Sequence, residues 1–82
     1  MVTAVPKFFF HIHDDIFVRD EEGLELSDVA AARATAVASA RALMCDQVTN
    51  GQLNLGHRIE VEDDAGEPVL MLPFGDAVEI RS

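Results

Sequence analysis

Along Lys7–His13 the side chains alternate: Phe8, Phe10 and Ile12 fall on one side, and Phe9, His11 and His13 on the other. This period of two is that of a β-strand. Asp14 and Asp15 make a polar break suited to a tight turn, and Ile16–Arg19 is β-branched and aromatic enough to return as a second strand, so residues 7–19 predict a hairpin. Asp20-Glu21-Glu22-Gly23 ends it as a polar turn whose glycine tolerates positive φ. The period then changes. SDVAAARATAVASARALMCDQVTNG predicts one long helix over residues 28–50, with Ser27 as N-cap, Asp28 complementing the helix dipole and Asn50-Gly51 as the stop. After the connector Gln52–Gly56, where Leu53 and Leu55 are expected to tuck under the helix end, alternation returns with Ile59 and Val61 inward and Arg58, Glu60 and Glu62 outward. Asp64-Ala65-Gly66-Glu67 is a turn and Val69–Leu72 an inner strand, so residues 57–74 predict a second hairpin. The tail 75–82 fits a short helical turn or an edge strand.

The arrangement that buries all these alternations is an α+β domain of order ββαββ, a four-stranded antiparallel sheet with one long helix packed on one face, spanning residues 1–82 as one domain. Spacing at 100° per residue puts Val29, Ala36, Val37, Ala40, Leu43, Met44 and Val48 on the sheet-facing stripe, with Arg33 in its middle. A guanidinium so placed needs acceptors, and Asp14, Asp15, Asp20 and Glu22 of the first hairpin are the candidate partners. Ala31, Ala34, Ala38, Ala42 and Cys45 form the back of the helix, bare enough to admit a second helix or simply to serve as strong helix formers in water. Because one helix covers one sheet face, Phe9 and Phe17 are expected on an uncovered face, and the chain is expected to self-associate as a homodimer through that face or through the helix back.

Charge narrows the partners. Fifteen acidic residues oppose six basic ones, for a net charge of −9. Such a field repels nucleic acid and anionic membranes and suits a basic protein or a cation. The lone Cys45 cannot form an internal disulfide, and Pro6 and Lys7 interrupt the apolar start; neither a signal peptide nor a transmembrane span is read, and a cytoplasmic location is expected.

Few residues offer chemistry. His11 and His13 point the same way about 6.5 to 7 Å apart along a strand, a spacing that zinc sites use, and Asp14, Asp15 and His57 are the residues that would complete a site. Nothing in the spacing fixes a third ligand, so neither metal nor cofactor is assigned and the histidines are read as a ligand or interface surface. The acidic runs lack the ligand alternation of a calcium loop, Cys45 lies mid-helix among alanines, and no nucleophile elbow, P-loop or dinucleotide glycine pattern occurs. A non-enzymatic protein is expected.

FFFHIHDD, then DEEGLELSDVAAARATAVASARAL, then DDAGEPVLMLPFGDAVEI resemble a family of short bacterial proteins described only as a domain of unknown function. The likeness runs over nearly the whole chain and rests on the aromatic run before His11, on Asp20-Glu21-Glu22-Gly23, on Ala32-Arg33-Ala34 and on Pro73-Phe74. It implies a compact α+β domain and carries over no catalytic residue; His13 stands at a position variable in that pattern. A looser similarity is to antitoxins of the HicB type, which run hairpin, glycine turn and alanine-rich helix, although the third strand that should precede the helix is not read here. That similarity implies masking of a basic partner.

Overall fold

Residues 5–81 are described by a computed structural model, and the apolar start before Val5 and the terminal Ser82 lie outside the described residues. The elements are β1 (Lys7–His13), β2 (Phe17–Val18), β3 (Leu24–Glu25), α1 (Val29–Thr49), β4 (Arg58–Glu62), β5 (Pro68–Pro73) and a 3-10 turn over Phe74–Ala77. The fold is α+β, and the sheet is antiparallel with order β2-β1-β4-β5, β3 pairing with β1 as a fifth strand.

β3 corrects the expected ββαββ order to βββαββ. β2 meets β1 at Ile12 and His13, and β3 meets it at Lys7 and Phe8, so the two short strands run the same way beside β1 with Arg19–Gly23 looping out between them. They act as one edge strand interrupted by an insertion. Leu24-Glu25 is too short for alternation to announce it, and only the pairing with β1 defines it.

Strand register puts Phe10 opposite Val61, Ile12 opposite Ile59, and Ile59 opposite Leu72, so all five share a face. Phe8, Ile59, Val61, Leu72 and Phe74 make the core with Ala32, Ala36, Ala40 and Met44 of α1 and Ala77. Ala32, Ala36 and Ala40 on the contact row keep side-chain bulk out of the gap between helix and sheet. Between Val61 and Glu62 the β4–β5 register slips by one residue at Val69, and Pro68 and Pro73 bracket the edge strand, limiting the N–H groups it offers.

Several expectations about α1 are corrected. Its N-cap is Asp28, whose Oδ1 accepts from Ala31 N–H at 2.8 Å, and not Ser27. The buried row is Ala32, Ala36, Ala40 and Met44; Val29, Val48 and Arg33 are exposed, and Arg33 makes no ion pair among the described residues. An i, i+4 row is inclined to the helix axis. A helix lying along such a row turns a different angular face inward at each end, so a single stripe averaged over the helix puts Arg33 inward although it faces water. The arginine that does hold the helix is Arg41, whose Nε donates to the Ala77 carbonyl at 2.7 Å. Leu53 and Leu55 are exposed rather than tucked under the helix end, the Leu55 carbonyl accepting from Gly75 N–H at 3.1 Å. The tail resolves into the 3-10 turn, with Phe74 and Ala77 buried, followed by irregular chain to Arg81.

Candidate functional site: the histidine face of the sheet

The face of the sheet away from α1 carries the other half of the alternation. Phe9, His11 and His13 project from β1, Glu60 and Glu62 from β4, Met71 from β5, and Phe17 from β2 opposite His13. Directly across from His11 is Glu60, yet each histidine reaches the diagonal neighbour: His11 Nε2 lies 3.3 Å from Glu62 Oε2, and His13 Nε2 lies 3.8 Å from Glu60 Oε1. Diagonal pairs on a pleated face lie within reach of long side chains. The Phe17 ring stands over both imidazoles, its centroid 4.6 Å from that of His13 and 6.0 Å from that of His11.

Asp20 organises the edge of this site. Where the Arg19–Gly23 loop leaves the edge of β1 away from β4 without a strand partner, Asp20 Oδ2 accepts the Phe10 N–H at 3.0 Å in place of a ladder carbonyl. Its Oδ1 accepts from Glu22 and Gly23, each at 3.1 Å, and its own N–H donates to His11 Nδ1 at 3.0 Å. Burial pushes the Asp20 carboxyl up, but the N–H groups of Phe10, Gly23 and Glu22, together with the nearby His11, outweigh it and hold the carboxyl below its ordinary value of 3.8. Gly23 is required twice over: its φ is +71°, and a Cβ there would stand 2.8 Å from Phe9 Cε2.

This network fixes the His11 tautomer. Nδ1 accepts, so in the neutral ring Nε2 carries the proton and donates. His11 is only 1% exposed, and its Nε2 has no hydrogen-bond partner, because the Glu62 oxygen lies close but off the N–H direction. The ring therefore keeps no free lone pair for a metal or for taking a proton from a substrate. His13 Nε2 is likewise buried and unpartnered.

The sequence candidates thus divide. Phe9, His11, His13 and Phe17 come together on one face. His57 does not join them; it lies on the helix side, its Nδ1 3.0 Å from Gln47 Nε2, its Nε2 3.5 Å from Asp15 Oδ1, and its ring edge-on to Phe74 at 5.8 Å. Asp14 instead caps its own turn, accepting from Ile16 N–H at 2.8 Å. Among the described residues no group of three or more histidine, cysteine, aspartate or glutamate side chains is placed to hold a metal ion. On the helix back Ala34, Ala38, Ala42 and Cys45 are exposed and Ala31 half-buried. Sequence reasoning missed Asp20 as a hub; the signal that pointed to it was an acidic residue heading a turn that ends in glycine.

A family model described as Domain of unknown function (DUF6894) matches residues 7–75. The chain belongs to this family. No curated protein and no solved structure shows a significant similarity to it. The DUF6894 match runs from the start of β1 into the 3-10 turn and ends at Gly75, so it includes every residue of the histidine face. The DUF6894 match says nothing of the likeness to HicB-type antitoxins. Among the described residues no helix is long and apolar enough to cross a membrane.

Proposed function

We propose that this DUF6894 protein is a non-enzymatic cytoplasmic interaction module that pairs with a second copy of itself through the histidine face. The observation that carries the reading is the exposure of Phe17 (51%) and Met71 (44%) at opposite flanks of one sheet face, with α1 packed on the other. Large apolar side chains left exposed on one sheet face suit a contact surface. Charge favours a second copy as the occupant. Most of a chain of net charge −9 repels its own kind, whereas this face sets Arg58 beside Glu60 and Glu62. A two-fold axis through this face brings basic groups onto acidic ones and Phe17 towards the partner copy's Met71 flank. The exposed free thiol of Cys45 suits a reducing compartment.

Sedimentation equilibrium over a concentration series tests this. The wild type is expected as a dimer, with Phe17→Glu monomeric and folded by circular dichroism, and Ala38→Glu still dimeric. A wild type that stays monomeric at high micromolar concentration overturns the reading, and loss of the dimer in Ala38→Glu alone moves the interface to the helix back. The excess of fifteen acidic over six basic residues supports a second reading, antitoxin-like masking of a basic partner. Its test is co-purification of a basic protein from the native host in a complex that high salt dissociates.

A further inference from the structure

α1 leaves part of its own sheet face uncovered. A helix with its side chains is about 10 Å across and neighbouring strands lie about 4.8 Å apart, so one helix covers roughly two strands. The sheet runs β2-β1-β4-β5, and α1 packs chiefly over β4, β5 and the 3-10 turn. Phe10 pairs with Val61, Ile12 with Ile59 and Val18 with Ile12, so Phe10, Ile12 and Val18 form the β1–β2 half of this same face. Phe10 and Ile12 are half-buried and Val18 is 50% exposed. They floor an open groove of about 430 Å³ walled by Arg19–Glu22, and none of its lining residues belongs to α1.

Width and charge define what fits there. The strip left beside α1 is about one helix wide, and a second helix packed 8–10 Å from the first would complete the layer over the sheet. Along the rim both Asp20 oxygens are committed to backbone N–H groups, whereas the Glu21 and Glu22 carboxylates make no hydrogen bond or ion pair among the described residues. Arg19 is the lone cation of the lining. An apolar floor beside two uncommitted carboxylates fits an amphipathic helix whose apolar stripe is edged by lysine or arginine. A second copy does not supply one, because Arg33 and Arg41, the nearest pair among its six basic residues, stand eight positions apart. We propose that the groove over Phe10, Ile12 and Val18 docks a basic amphipathic helix of a different protein, laid beside α1 with its cations on Glu21 and Glu22. This rests on the reading in which the chain masks a basic partner, and it leaves the histidine face free.

The test is a fluorescence-anisotropy titration of the full chain into a labelled two-heptad leucine–lysine peptide patterned for one apolar helical face. A scrambled peptide of the same composition and a leucine–glutamate counterpart are the controls. The patterned peptide is expected to bind saturably, the scrambled one roughly tenfold weaker and the acidic one not at all. Val18→Glu and the double variant Glu21→Lys/Glu22→Lys, each folded by circular dichroism, are expected to weaken it roughly tenfold. Asp46→Lys/Asp76→Lys, the same change of net charge placed at exposed positions on α1 and the 3-10 turn, is expected to weaken it less than about threefold. Equal binding of the scrambled peptide, undiminished binding by Val18→Glu, or equal losses in the two charge-reversed doubles overturns the proposal. So does a wild-type dimer that Val18→Glu dissolves, which assigns the groove to a second copy. A basic partner from the native host that binds Val18→Glu as tightly as the wild type keeps the masking reading and overturns the groove. Groove-specific peptide binding with no such partner in the host upholds the groove and removes that reading.

Discussion

The two faces of the sheet are built from the same strands and do opposite work. On the α1 side Phe8, Ile59, Val61 and Leu72 are buried against alanines, and among the described residues no polar side chain there is fully buried. On the other side His11 is as deeply buried as any core residue, yet its neighbours are a carboxylate hub, a glutamate and an exposed phenylalanine ring. Burial alone therefore does not mark the core in this domain. The apolar face gains from exclusion of water and needs no exact partners, whereas each polar group of the histidine face has to be matched in direction, and the buried Nε2 atoms of His11 and His13 are left without a hydrogen-bond partner.

If that division is right, truncation should hurt unequally on the two faces. Ile59→Ala, on the apolar side, is expected to cost about 2–5 kcal/mol by cavity formation and lost transfer energy. Met71→Ala, one strand away on the histidine side, is expected to cost under about 1 kcal/mol. Urea denaturation of the two variants measures both, and equal losses would break the comparison.

A middling effect sharpens it from the polar side. Asp20→Ala removes the acceptor of three backbone N–H groups and is expected to cost roughly 2–3 kcal/mol. The pH dependence follows from the lowered carboxyl. Because the folded value lies below the ordinary 3.8, the stabilisation is fully present above 3.8 and is lost as pH falls through the folded value. Denaturation midpoints measured from neutral pH downward should accordingly fall less in Asp20→Ala than in the wild type across that acidic window.

The smallest effects separate the two arginines of α1. Arg41→Ala loses the bond to Ala77 that ties helix to 3-10 turn and is expected to cost about 1 kcal/mol. Arg33→Ala is expected to change stability by no more than about 0.5 kcal/mol, as for an exposed residue without a partner. A large loss at Arg33 in a thermal melt would restore it to the interface with the sheet.

How much of this was legible depended on the range of the signal. The faces of β1 and β4 follow from alternation, since a strand's side chains are assigned by parity alone. The helix was plain from its alanines, but its rotation was not: the side of Arg33 depends on how the helix lies across the sheet, and 100° spacing contains no such information. β3 escaped because two residues carry no period. At the site, parity placed Phe9, His11 and His13 together and Phe17 followed from the hairpin, whereas the same reading grouped His57 with them although its parity matches Ile59 on the helix side.

By itself the sequence determined the α+β class, the long helix, the two hairpins and the pairing of histidines with aromatics on one face, because each is written in local periodicity and turn chemistry. Only the tertiary structure decided that Asp20 replaces a missing strand, that His11 is held as a donor, and that Arg41 rather than Arg33 locks the helix. Those outcomes rest on groups nine to thirty-six residues apart meeting at hydrogen-bond distance, which depends on register and crossing angle and not on any pattern within a window.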